Sequence, residues 1–332
     1  MSTFRAFVVD KTADSFEAKV KQLSMNDLPD GDVTIRVAYS SVNYKDGLAS
    51  IPNGKIVSQY PFVPGIDLAG TVVSSTESRF KEGDEVIVTS YDLGVSHFGG
   101  YSEYARVPAN WVVPLPKGLT LKEAMVFGTA GFTAALSIHR LEENGLKPEH
   151  GPVLVTGSTG GVGSMAVAIL AKLGYHVVAS TGKESEHAFL KKIGAAEIID
   201  RNELLPDKIP ALGKQQFAAA VDPVGGASLA FILSTIKYKG SVAVSGLTGG
   251  GNVPTTVFPF ILRGVNLLGI DSVFCPMEIR QPLWEKIAND LKPENLDALV
   301  GGEVTIEELE PALASILKGQ AKGRTIVKLN EL

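Results

Sequence analysis

The fold turns on Val153-Leu154-Val155-Thr156-Gly157-Ser158-Thr159-Gly160-Gly161-Val162-Gly163. The first four residues are apolar or β-branched with no polar alternation, the pattern of a short strand buried on both faces. Glycines at 157, 160 and 163 come next, and Val162 to Leu173 follows with helical spacing. Aligned to G-x-G-x-x-G, the first glycine position is held by Ser158, with Gly160 and Gly163 in place. A chain that turns tightly against a pyrophosphate has no room for a Cβ at Gly160. The helix that starts there offers free N–H groups and the positive end of its dipole. Thr159, Gly160, Gly161 and Val162 are therefore the expected phosphate-loop residues. No Lys-Ser/Thr pair follows the last glycine, so this is not a P-loop.

Downstream the pattern repeats. Tyr175 to Ala179 reads as a strand, Glu184 to Ile193 as a helix, Glu197 to Ile199 as a third strand, and Phe217 to Val221, Val242 to Val244 and Asn266 to Ile270 as later ones. Strands alternating with helices predict βαβ units and a doubly wound parallel sheet. The second strand runs into Ala179-Ser180-Thr181-Gly182-Lys183. Sites for the unphosphorylated dinucleotide place an acidic residue here, on the ribose 2′-OH. This chain has Ser180 at that position, so two hydroxyls and the Lys183 ammonium suit a 2′-phosphate. Arg201, after the third strand, is placed to close over the same group. The expected cofactor is NADP(H), held here by Ser180, Thr181, Gly182, Lys183 and Arg201. The plain alternative for the two cations is solvated surface charge.

Upstream, residues 1 to about 120 are β-rich. Val33 to Val42 alternates apolar and polar positions, and Leu68 to Val73, Glu85 to Thr89 and Tyr101 to Val107 are strand-like runs divided by turn signals. The reading is a small barrel or folded sheet. The 332 residues allow two cores. With 31 basic and 36 acidic residues the net charge is −5, which speaks against a nucleic-acid binder. The single cysteine, Cys275, rules out an intrachain disulfide or a multi-thiolate metal site. No leader pattern opens the sequence, and no apolar run approaches the roughly 18 residues of a membrane span. The expected location is cytoplasmic, with no membrane or nucleic-acid partner.

Several further segments carry a resemblance. They are Ser41-Val42-Asn43-Tyr44-Lys45-Asp46-Gly47, Pro64-Gly65-Ile66-Asp67-Leu68-Ala69-Gly70, Gly128-Thr129-Ala130-Gly131-Phe132-Thr133-Ala134-Ala135, Asp222-Pro223-Val224-Gly225-Gly226 and Ser245-Gly246-Leu247-Thr248-Gly249-Gly250. With the glycine loop, they resemble the zinc-free YhdH/YhfP branch of the medium-chain dehydrogenase/reductase superfamily, which includes quinone oxidoreductases and acryloyl-CoA reductases. The resemblance implies a GroES-like catalytic domain over 1–120 and 292–332 and a Rossmann domain over 121–291. It places Asn43 and Tyr44 at the reacting end as catalytic candidates, with Tyr44 also touching the cofactor. It adds Thr129, Leu247, Ile261 and Ser272 to the cofactor contacts, and a homodimer joined through the Rossmann edge strands. Lys45 and Asp46 are expected to pair on the surface, and Tyr91 is a weaker proton-donor candidate.

Zinc members of the superfamily carry Gly-His-Glu where this chain has Gly65-Ile66-Asp67, and a cysteine near Ser41. Catalytic zinc needs about three protein ligands. The five histidines lack ligand spacing, so no metal is expected. The implied reaction is hydride transfer to the β-carbon of an activated alkene such as acryloyl-CoA or a related enoyl thioester. Donors aimed at the carbonyl oxygen would stabilise the enolate. NADPH:quinone reduction and a non-catalytic NADPH-binding sensor are the alternatives. A hydrolase is excluded, as no G-x-S-x-G elbow is present.

Lys183→Glu is expected to weaken NADPH binding by at least about 1–3 kcal/mol, through a lost charged hydrogen bond and added repulsion. NADH binding should be nearly unchanged. Titration with both dinucleotides measures this, and equal weakening of the two would show that Lys183 does not read the 2′-phosphate.

Overall fold

The computed structural model describes residues 3–330, which divide into two compact units. The first comprises 3–129, 273–288 and 300–330, and the second 130–272 and 289–299.

The first unit is built on a seven-stranded sheet. Its order is Val300–Thr305, Arg324–Lys328, Val33–Ser41, Asp67–Ser75, Glu85–Thr89 and Val113–Pro114, with Tyr104–Val107 also pairing with Val33–Ser41. Thr3–Lys11 and Phe16–Ser24 form a separate antiparallel hairpin. The inward faces alternate as the sequence pattern demands. Val33, Ile35, Val37, Leu68, Val72, Val86 and Val88 pack with Phe4, Phe7 and Val327 into one core. Register in the last strand sets Ile326 opposite Ser41 and Lys328 opposite Tyr39, which seats the end of the chain beside an early strand.

The second unit is a six-stranded parallel sheet in the order Glu197–Asp200, Val177–Thr181, Val153–Val155, Phe217–Asp222, Ile236–Val244 and Asn266–Gly269. The chain works outward from Val153–Val155 to one edge, then crosses to Phe217–Asp222 and works outward to the other. The point where the order reverses lies between those two strands, and open sheets of this kind bind ligands there. The helix Gly161–Lys172 follows the glycine loop as its apolar spacing predicts. Gly163 is required by packing, since a Cβ there would lie 2.3 Å from the Gly157 carbonyl oxygen.

Three features differ from the sequence reading. The units do not divide at 120 and 292. Residues 121–129 belong with the first unit, because Arg324 Nε donates to the Val126 carbonyl and the Thr129 N–H donates to Asp67. Residues 273–288 also join it, since Arg280 donates to Thr89 and Tyr91 to the Cys275 carbonyl, while 289–299 returns to the second unit. The helical stretch Leu121–Glu143 is broken at Gly128, whose φ of 50° is left-handed. Finally, Glu184–Ile193 holds only the short helix His187–Lys192 after a single tight turn, because acidic Glu184 and Glu186 leave little apolar face to bury.

Candidate active site

In the first unit the chemistry-bearing side chains gather on Asp67, which is fully buried. Its carboxylate accepts from Ser41 Oγ at 2.6 Å, Asn43 Nδ2 at 2.8 Å, the Thr129 N–H at 2.9 Å and Thr129 Oγ1 at 2.5 Å. Arg324 Nη2 stands 3.9 Å away and donates to Ser41 Oγ at 2.8 Å. The approach is close enough that a Cβ on Gly128 would meet Asp67 Oδ2 at 2.5 Å, so only glycine serves there.

Asp46 is a second buried carboxylate and does not pair with Lys45 on the surface. It accepts from the Ile66 N–H and the Asn43 N–H, each at 2.9 Å, and from Asn43 Nδ2 at 3.2 Å. Burial, and then the negative charge of Asp67, push its carboxyl up to about 7. Tyr101, also buried, donates to the Ser41 carbonyl, and burial followed by the Asp46 charge raises its phenol further.

These bonds decide between the two catalytic candidates. Asn43 caps the helix Tyr44–Ala49, and its amide is turned inward. Its Nδ2 hydrogens serve Asp67 and Asp46, and its Oδ1 accepts from Arg324 at 3.3 Å. Asn43 thus has both amide hydrogens engaged within the protein, which fits a positioning part in the site. Tyr44 is 46% exposed at the head of the same helix, with its ring presented outward. Tyr91 is not a spare proton donor either, since its hydroxyl donates to the Cys275 carbonyl at 3.1 Å and Arg280 covers its ring. Ser90 and Tyr91 both take left-handed backbone angles, φ 65° and 52°, and Ser90 Oγ lies 2.9 Å from Thr129 Oγ1.

In the second unit the glycine loop has the form a phosphate needs. A Cβ on Gly160 would meet nothing nearer than the Gly157 oxygen at 3.4 Å, so the space over Gly160 is not filled by the chain itself. Thr159, Gly160, Gly161 and Val162 lead into the helix, whose start has no side-chain cap, while the Gly160 N–H donates to the Gly157 carbonyl at 2.9 Å. The second-strand residues divide. Ser180 is 1% exposed, and its carbonyl holds the Ser158 N–H at 3.2 Å, so it supports the loop from within. Thr181 is also buried and accepts the Lys183 N–H. The Arg201 side chain lies directly on Gly182, where a Cβ would meet Nε at 2.6 Å, so Gly182, Lys183 and Arg201 form the outward surface.

Leu247 and Ile261 are 70% and 68% exposed, the first on a glycine-rich turn and the second on the helix Phe258–Arg263. Ser272 is buried and accepts from Thr133 Oγ1 at 2.7 Å. Sequence reasoning placed Asp46 on the surface and assigned no part to Ser90, Thr156 or Asp222. A serine or an acid reads the same in sequence whether solvated or buried, and only the pairing of distant segments separates the two cases.

Zinc does not fit the first unit. Where zinc relatives have histidine this chain has Ile66, and the Asp67 lone pairs are already taken by four donors. Among the described residues no group of three or more His, Cys, Asp or Glu side chains is placed to hold a metal, and no helix is long and apolar enough to cross a membrane.

Comparison with known proteins gives two family matches, the alcohol dehydrogenase GroES-like domain over residues 29–117 and the zinc-binding dehydrogenase family over residues 161–289. YhfP of Bacillus subtilis, named for the quinone oxidoreductases, is 61% identical over 99% of this chain and 100% of its own length. Its crystal structure, with NAD bound, superposes with a TM-score of 0.97. The acrylyl-CoA reductase AcuI of Ruegeria pomeroyi is 52% identical over 98% of this chain and 99% of its own. The yhdH oxidoreductase of Salmonella enterica, in complex with NADP, is 45% identical, covers 98% of this chain and 100% of its own, and has a TM-score of 0.95.

The Asp46 carboxyl has a measurable consequence. With its folded value near 7 against 3.8 for the free group, the folded state keeps a proton that the unfolded chain releases. Stability is therefore expected to fall as pH rises from about 4 to about 7 and to level off above. Asp46→Asn carries no such proton. Its stability relative to wild type should improve between about pH 4 and about pH 7 in denaturant melts. A difference that stays constant with pH would show that Asp46 does not titrate there.

Proposed function

The chain belongs to the medium-chain dehydrogenase/reductase family, on its quinone-oxidoreductase-like side, and we propose that it is an NADPH-dependent reductase of activated alkenes, working on acryloyl-CoA or a related enoyl thioester without a metal. The chain-long match to AcuI is the observation that carries this reading, and the open space over Gly160 supports a bound dinucleotide.

In this proposal Thr159, Gly160, Gly161 and Val162 hold the pyrophosphate, and Gly182, Lys183 and Arg201 face the 2′-phosphate over the support of Ser180 and Thr181. Thr129, Leu247, Ile261 and Ser272 complete the cofactor contacts. NADPH bound there supplies the hydride that goes to the β-carbon of the alkene. The Tyr44 hydroxyl donates to the carbonyl oxygen, where negative charge gathers as the β-carbon is reduced. Asn43 and Asp46 fix the first turn of the helix that carries Tyr44, so this donor is preorganised. The α-carbon then takes a proton from water, which completes the reduction.

A specific observation also favours quinone as acceptor, namely the name of YhfP, and one experiment separates the readings. NADPH oxidation by the purified protein is followed against acryloyl-CoA, simple enones and quinones. The expected result is the highest kcat/KM with acryloyl-CoA. Turnover of quinones alone would move the assignment to quinone reduction. Tight NADPH binding without turnover of any acceptor would make the protein a sensor.

The proposal extends to a homodimer formed along the edge strand Asn266–Gly269. Val257, Phe258, Leu262 and Leu267 are exposed on that strand or in the residues just before it, and an apolar edge left open invites pairing. Sedimentation is expected at twice the 35.1 kDa chain mass. A monomer at micromolar concentration would overturn this arrangement.

A further inference from the structure

Asp222 closes the strand Phe217–Asp222, on the far side of the point where the strand order reverses from the glycine loop. It is fully buried, yet no arginine or lysine is among the groups that act on its carboxyl. Donors alone hold it. Thr156 Oγ1, at the end of Val153–Val155, donates to Oδ1, as does the Val224 N–H at 3.2 Å, and the Gly225 N–H reaches Oδ2 at 3.0 Å. Its own carbonyl accepts the Ser245 N–H at 3.0 Å, from the end of the neighbouring strand.

The turns so joined touch one another. A Cβ on Gly157, the first glycine of the loop, would meet Val224 Cγ2 at 3.3 Å. A Cβ on Gly226 would meet the Gly249 oxygen at 2.3 Å, and the Gly249 N–H donates to the Val224 carbonyl at 2.8 Å. Three turns at the carboxyl ends of three strands are therefore stacked, with one carboxylate bonded across the reversal point.

We infer that Asp222 is a positioning residue for the dinucleotide, which through Thr156 and the Val224–Gly225 turn sets the opening beside the glycine loop. This deepens the nucleotide reading above and rests on it. Loss of the Thr156 hydroxyl frees the loop from the turn while keeping the residue's volume and the strand's apolar character.

The test is dinucleotide affinity in the full-length protein, measured by the fluorescence of bound NADPH and by the rise in melting temperature that NADPH produces. Thr156→Val is expected to raise the Kd for NADPH about tenfold and to shrink that rise, while Thr156→Ser, which keeps the hydroxyl, restores most of the affinity. In turnover, KM for NADPH should rise by more than kcat falls. If Thr156→Val does not fold, Asp222→Asn, which keeps the volume and one acceptor, is read in the same way. A lower melting temperature with an unchanged Kd would overturn the inference and leave Asp222 a fold-stabilising group. A wild-type protein that does not bind NADPH would overturn the nucleotide reading itself, and the inference with it.

Discussion

A carboxylate taken out of water is tolerated only when donors replace the water. Asp67 meets this condition by drawing three other parts of the chain to one point. Ser41 and Asn43 come from the end of one strand, Thr129 from the broken helix, and Arg324 from the last strand of the sheet. Two acids share this one guanidinium, and the imbalance is met at Asp46, whose carboxyl takes up a proton more readily than usual. The presentation of Tyr44 follows, because the helix that carries it is capped by the same Asn43 that serves Asp67.

Much of the fold was legible because it rests on local pattern. The run Val153–Val155, the glycines after it and the apolar spacing of Gly161–Lys172 predict a strand, a turn and a helix, and all three are present. The alternation in Val33–Ser41 likewise placed a strand of the first unit. Legibility failed where distant residues decide the outcome. Nothing near Asp46 distinguishes a surface partner of Lys45 from a buried acid held by the Ile66 N–H. Asn43 seemed free to meet a substrate because its obligations lie 24 and 281 residues away, at Asp67 and Arg324. The unit boundaries were misjudged for the same reason, since single bonds from Arg324 and Arg280 assign the disputed segments.

The glycines of the second unit separate packing from ligand binding. Gly163 is demanded by the chain, whose own carbonyl stands where its side chain would be. Gly160 is not, and a residue whose smallness answers no neighbour within the protein leaves room for something outside it. The same contrast holds among the polar groups. Ser180 and Thr181 are buried and the Ser180 carbonyl holds the loop, while Lys183 is half-buried and Arg201 exposed.

Arg324 is 281 residues from Asn43 in sequence, yet its strand, Arg324–Lys328, pairs with Val33–Ser41 and brings the guanidinium to Asp67. During synthesis, then, the early strands emerge with an acid still lacking its cation, which a much later strand supplies. Contacts of such long sequence separation form late, so the first unit is completed only after the second has emerged. Proteolytic trimming of that tail would undo the site from its far end while leaving every residue of the glycine loop in place.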